Sequence, residues 1–338
     1  MISNNALLLY RRTLLLLIVT MAFMSSVHAA PIPVILDTDI GDDIDDTWAL
    51  SFILCSPELD LKMVVTDSHN TAARAKIVAK FLESVSRDDI PIGIGSKQDD
   101  NIGPQAKWAE EYELTKYYST IHQDGVQAMI DLIMSSKEKI TLIVIGPCPN
   151  IQEAIKREPA IIDKVRVCAM SGSVKIGYGG VLSPDAEYNV RDNVPASQAM
   201  YGAGWDIAIA PLDTAGLVAI RGEKYLQLFH DPNPVIETLM MNYREWVKQG
   251  KHQIDPSVRS STLFDVVAAY MAFSEELCVV DDLNLKVENK GYTVVDPKAK
   301  KVRAAVKWKD LGKFEDLVVQ RLKKGVAYPF SKPEKAFQ

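Results

Sequence analysis

Residues 35–50 read ILDTDIGDDIDDTWAL, and six aspartates fall between Asp37 and Asp46. They follow directly on the apolar residues Val34, Ile35 and Leu36, which read as a buried strand, and they lead into DDTWALSFILCS, which reads as a helix. A strand end is a costly place for unpaired charge. The carboxylates there must be compensated by a cation, or some must take up protons.

The alternation of strand and helix continues outward from this stretch. PVILDTD, LKMVVTDS, IPIGIGS, ITLIVIG and KVRVCAMSGS read as strands, and TAARAKIVAKFLESV, DGVQAMIDLIMSS and IQEAIKRE read as the helices between the later ones. No Pro/Gly/Ser-rich linker divides the series. It predicts an α/β protein of a single domain, built on an open, mostly parallel Rossmann-like sheet with helices on both faces. In such sheets the ligand lies beyond the carboxyl ends of the strands, which is where the aspartate loop falls.

Composition narrows the class. The chain has 338 residues, 47% hydrophobic and 24% charged, and a formal net charge of -6, which argues against a non-specific nucleic-acid binder. The basic runs KAKKVR and RLKK read as solvated surface. At the N-terminus, Arg11 and Arg12 precede the apolar LLLLIVTMAFM and then SSVHAA. Residues 1–29 therefore read as a signal peptide cleaved after Ala29 or Ala30, with residues 30–338 forming the catalytic domain. The apolar stretch is shorter than the roughly 20 residues of a membrane span, so the mature chain is expected to be secreted or periplasmic and free of the membrane. Cys55, Cys148, Cys168 and Cys278 are spaced too widely for a staple framework or a zinc site and read as buried free thiols.

Familiar acidic motifs fail on spacing. A calcium-binding helix-loop-helix loop starting at Asp37 would have its turn glycine one position later than Gly41 and a glutamate where Trp48 stands. An aspartyl-nucleophile phosphatase shares the Asp-x-Asp start but does not call for the Asp45–Asp46 pair. No glycine loop for phosphate appears.

The order Asp37, Asp39, Gly41, Asp45, Asp46, Ala49, Leu50 resembles the opening motif of the nucleoside hydrolase family, of the inosine-uridine-preferring type. The resemblance continues through TDSHNT, VIGPCPNI, MSGS, AEYNV, APLDT and TLFDVVAAY, in the family's order along almost the whole mature chain. It implies a calcium-dependent enzyme that hydrolyses the N-glycosidic bond of ribonucleosides to ribose and free base, serving nucleoside salvage as a homodimer or homotetramer. The readings held beside it are hydrolysis of another N-riboside and a calcium-dependent nucleoside- or sugar-binding protein without turnover. Carried over residue by residue, it implies that Asp39, Asp46, the Ile145 carbonyl and Asp265 hold Ca2+. It further implies that Asp45, Asn70, Glu187 and Asn189 bind the sugar and that Asp39 is the base activating water.

Two features depart from the family pattern. Asp42 and Asp43 lengthen the loop, which leaves Asp43 as the alternative to Asp46 in the ligand set, and Phe264 stands where a histidine assists the departing base. A phenyl ring cannot donate a proton, but it can stack on the base. Elsewhere the expectations are plainer. Asp37 either braces the loop or joins the site, Asp42 and Asp43 are solvated loop residues, and Asn150 caps a helix. His69 is surface or core, Trp48 and Trp246 are core, and Tyr178, Tyr188 and Trp108 are candidates to stack on a base.

Overall fold

A computed structural model describes residues 30–331, so the proposed signal peptide lies outside the described residues. The compact unit begins at Ile32. Its sheet has ten strands: β1 (Ile32–Thr38), β2 (Leu59–Thr66), β3 (Ile92–Ile94), β4 (Ile121–His122), β5 (Ile140–Val144), β6 (Val165–Met170), β7 (Asp206–Ala210), β8 (Cys278–Val287), β9 (Thr293–Val295) and β10 (Lys301–Trp308). They lie in the order β4-β3-β2-β1-β5-β6-β7-β10-β8-β9. Only β8 runs against its neighbours.

The central strands are apolar on both sides because both faces are covered. In β1, Val34 and Leu36 face one core with Trp48, Phe52, Ile77 and Phe81, while Ile35 faces the other with Met129, Ile130 and Ile151. The first core is roofed by the helices Asp45–Leu54, Thr71–Ser84, Pro234–Gly250, Phe264–Met271 and Leu311–Lys324, and the second by Gly125–Ser135, Pro149–Arg157 and Val194–Gly202. Cys55, Cys148, Cys168 and Cys278 are buried and free, as their spacing suggested. The strands from β7 onward were not legible as a pattern. The long β8 is only partly buried and sits near the sheet edge, which blurs its alternation.

From β1 the chain steps outward through β2, β3 and β4, then returns to place β5 against the other edge of β1. The loops leaving β1 and β5 therefore diverge and open a crevice. Two backbone hydrogen bonds hold its floor, from the Asp67 N–H to the Thr38 carbonyl at 2.8 Å and from the Ile145 N–H to the Asp37 carbonyl at 2.9 Å. Asn150 ties the strand ends together. It does not cap a helix, as the sequence suggested, because its side chain is fully buried under the sheet end. Its Nδ2 donates to Asp37 Oδ2 (2.7 Å) and to the Thr66 carbonyl (3.1 Å), and its Oδ1 accepts from the Ser96 N–H (2.7 Å). Gly95 makes room for this clamp, since a Cβ there would lie 2.2 Å from the Thr66 oxygen and 2.4 Å from Asn150 Oδ1.

Asn150→Ala removes three hydrogen bonds and strands buried partners, one of them a carboxylate. It is expected to lower folding stability by about 3 kcal/mol. Urea denaturation measures this, and an unchanged midpoint would show that the clamp does not hold the strand ends.

Candidate active site

The crevice is a cavity of about 330 Å³, within the roughly 300–1,000 Å³ typical of small-molecule sites. Asp39, Asp45, Asp46, Ile145, Glu187, Asn189, Phe264 and Asp265 all line it. Asn70, also expected there, does not: its Oδ1 accepts from the Ala73 N–H at 3.0 Å and caps the helix Thr71–Ser84, on the wall of a neighbouring groove.

Asp45 and Asp46 occupy the first turn of Asp45–Leu54, and Asp265 the first turn of Phe264–Met271, where the helix dipoles favour negative charge. Their carboxylate oxygens lie within 4.8 Å of one another. The Asp265 N–H donates to Asp45 Oδ2 at 3.4 Å, and the Thr38 hydroxyl donates to Asp46 Oδ1. Asp45 thus belongs to the tight cluster, whereas Asp39 lines the cavity outside that trio. Burial pushes Asp39, Asp45, Asp46 and Asp265 well above the ordinary carboxylate range, and repulsion from neighbouring aspartates adds to it. Asp43, by contrast, is exposed on the loop at the cavity rim, as the sequence suggested. This clustered, buried set offers oxygen donors alone, which fits a hard divalent cation and not a zinc-type ion.

On the opposite wall, Glu187 caps the helix Tyr188–Asp192. Its Oε1 accepts from the Asn189 N–H (2.8 Å), and its Oε2 accepts from the N–H groups of Gly172 (3.0 Å) and Val190 (3.2 Å). Burial still raises it to about 7 against the pull of those donors. The Asn189 amide donates to the carbonyls of Ile145 (3.0 Å) and Met170 (3.1 Å), so it fixes the carbonyl nominated as a metal ligand. Phe264 meets Tyr178 edge to face, with ring centroids 6.1 Å apart, and Tyr188 completes the aromatic wall. Tyr178 Oη accepts from the Tyr188 N–H at 2.8 Å. Trp108 is elsewhere, beneath Lys80 Nζ at 4.5 Å from its ring centre.

Behind the cavity, Asp37 is fully buried against Asn150 and is a brace; burial raises its carboxyl to about 6. Asp42 is not a freely solvated loop residue. Its Oδ2 accepts from Arg74 Nη2 at 2.6 Å and lies 3.6 Å from His69, whose Nδ1 meets Asp99 Oδ2 at 2.8 Å. Arg74, 1% exposed, also donates to the carbonyls of Ile40 (3.0 Å) and Ser68 (3.2 Å), strapping the aspartate loop to the loop after β2. Gly41 admits this arginine: it sits at φ +133°, and a Cβ there would be 3.1 Å from Arg74 Nη1. Sequence reasoning missed Arg74, although its place on the same helical face as Ile77, Val78 and Phe81 marked it as buried. Trp246, nearly buried as expected of a core residue, also donates its indole N–H to the Asp42 carbonyl at 2.7 Å.

Known proteins share this arrangement of chain. Pyrimidine-specific ribonucleoside hydrolase RihA from Enterobacter sp. (strain 638) is 26% identical over 287 residues, covering 78% of this chain and 88% of that protein. Non-specific ribonucleoside hydrolase RihC from Klebsiella pneumoniae is 26% identical over 226 residues, covering 63% and 72%. In fold, the chain is similar to the purine-preferring ribonucleoside hydrolase from Gardnerella vaginalis (TM-score 0.71, 19% identity, covering 86% and 98%). It is also similar to the plant nucleoside hydrolase PpNRh1 (TM-score 0.73, 22% identity, covering 87% and 99%). Residues 34–316, from β1 to the last helix, match the family model of the inosine-uridine preferring nucleoside hydrolases, and the chain belongs to that family.

Proposed function

We propose that the protein is an exported, calcium-dependent ribonucleoside hydrolase that releases ribose and free base, working as a small homo-oligomer. The observation that carries the reading is the buried, oxygen-only cluster of Asp45, Asp46 and Asp265 beside Asp39 at the crevice between β1 and β5. Asp45, Asp46 and Asp265 with the Ile145 carbonyl, and with Asp39 beside them, would hold calcium, which would supply a positive centre for ribose hydroxyls and water. Asp39 would take the proton of the attacking water. As the C1′–N bond lengthens, the ribose ring becomes oxocarbenium-like, and the surrounding carboxylates stabilise its charge. Asn189 holds the Ile145 carbonyl in place, and Glu187 fixes the helix start that carries Asn189.

Similar proteins bear names for pyrimidine, purine and unrestricted preference. The aromatic wall of Phe264, Tyr178 and Tyr188 offers the larger purine ring more stacking surface.

A reducing-sugar assay over inosine, adenosine, guanosine and uridine tests the activity. Asp39→Asn is expected to lower kcat by about 10³-fold with the fold intact, the scale of a lost general base; retention within tenfold would remove Asp39 from that role. Inosine is expected to be cleaved at least as fast as uridine, with kcat/KM rising toward acid pH as solvent protonates the purine ring, until Asp39 is itself protonated. A strong uridine preference would overturn the purine reading.

A further inference from the structure

The cavity wall contains little that can hand a proton to a departing base. Among the described residues no lysine, arginine or histidine lines it. Both oxygens of Glu187 already accept backbone N–H groups, and the Asn189 amide donates to two carbonyls. Burial raises the pKa of the Tyr178 and Tyr188 phenols, so they hold their protons more tightly than usual. His69, facing Asp99 and Asp42 with Asp192 and Arg74 nearby, lies outside the wall. Phe264 has no proton to give.

What the wall does offer is negative charge and aromatic faces. Seven carboxylates line it, those of Asp39, Asp42, Asp43, Asp45, Asp46, Glu187 and Asp265. Burial keeps part of this set protonated, yet the wall presents carboxyl oxygens and no cationic side chain, and the Arg74 guanidinium behind it is engaged with Asp42. Such a field draws in cations, and a phenyl or phenol face attracts a cationic ring.

Resting on the hydrolase reading above, we propose that the preferred substrates are N-ribosides whose heterocycle carries a positive charge when bound, such as pyridinium or quaternised purine ribosides. The chemistry balances without an acid. The C1′–N bond breaks heterolytically, and its electron pair neutralises the ring cation, so the heterocycle leaves as a neutral base. The water oxygen bonds to C1′, and the water proton passes to Asp39 and then to solvent. Phe264 discriminates by leaving neutral nucleosides without assistance while presenting its face to the cationic ring.

The test is kcat/KM for nicotinamide riboside, inosine and uridine with the wild type, Phe264→His and Phe264→Leu, each checked for an unchanged melting temperature. Comparing wild type with variant for one substrate cancels that riboside's intrinsic reactivity. Phe264→His is expected to raise inosine turnover and lower that of nicotinamide riboside, shifting selectivity by about 10²-fold, the low end of acid assistance. Phe264→Leu, which keeps bulk without a π face, is expected to cost nicotinamide riboside about tenfold and inosine, which loses stacking but no cation–π attraction, several-fold less than that. Wild-type preference for inosine or uridine over nicotinamide riboside, or equal changes for all three in both variants, would overturn the proposal and leave the hydrolase reading standing. No turnover of any riboside would overturn that reading itself.

Discussion

Mutual repulsion among carboxylates buried at the end of β1 is the constraint on which the rest of the structure depends. Each would be more stable in water, and each is made worse by its neighbours. The fold places them together by topology. β1 sits between β2 and β5, so its carboxyl end has open space on one side, and two helices begin there with their partial positive ends toward the acids.

The acids divide into a working layer and a supporting layer. Asp39, Asp45, Asp46 and Asp265 face the cavity with few protein donors of their own, an arrangement of oxygen donors that could hold a metal ion. Asp37 and Asp42 instead have strong partners in Asn150 and Arg74. Removing a partner leaves a charge uncompensated, so these supports matter to the geometry of the site, Asp37 from behind the cavity and Asp42 from its wall. Ser68 and His69 both adopt positive φ, at 56° and 45°, which is where the loop after β2 bends to meet Arg74 and Asp42.

The sequence was most legible where period and chemistry agreed. β1, β2, β3, β5 and β6 read correctly because they are apolar runs between helical patterns, whereas the two-residue β4 is too short to show a period, and the acidic residues read as a site because nothing else explains charge after a buried strand. Asn70, expected at the sugar, caps a helix, and Asn150, expected to cap, clamps the strand ends. An asparagine at a strand-to-helix junction is equally suited to capping and to clamping, and only the neighbouring strand ends decide which it does. Arg74 and the Glu187 brace depend on contacts distant in sequence, from the Asp42 side chain to the Gly172 N–H, which no local pattern encodes. Trp108 was misplaced because loop-like surroundings do not reveal which cavity a ring faces.

Carboxylates raised by burial that would hold a divalent cation tie metal binding to protons. With folded-state values raised, to about 6 at the fully buried Asp37 and about 7 at Glu187, the stability these groups contribute is complete below the usual carboxylate range and is lost as pH rises through those values. A cation that binds the ionised cluster reverses the trend. The direct measurement is the melting temperature of chelator-stripped protein at pH 5 and pH 8, with and without calcium. The account predicts that the stripped protein melts lower at pH 8 than at pH 5 and that calcium raises the melting temperature far more at pH 8. No effect of calcium, or an equal shift at both pH values, would contradict it.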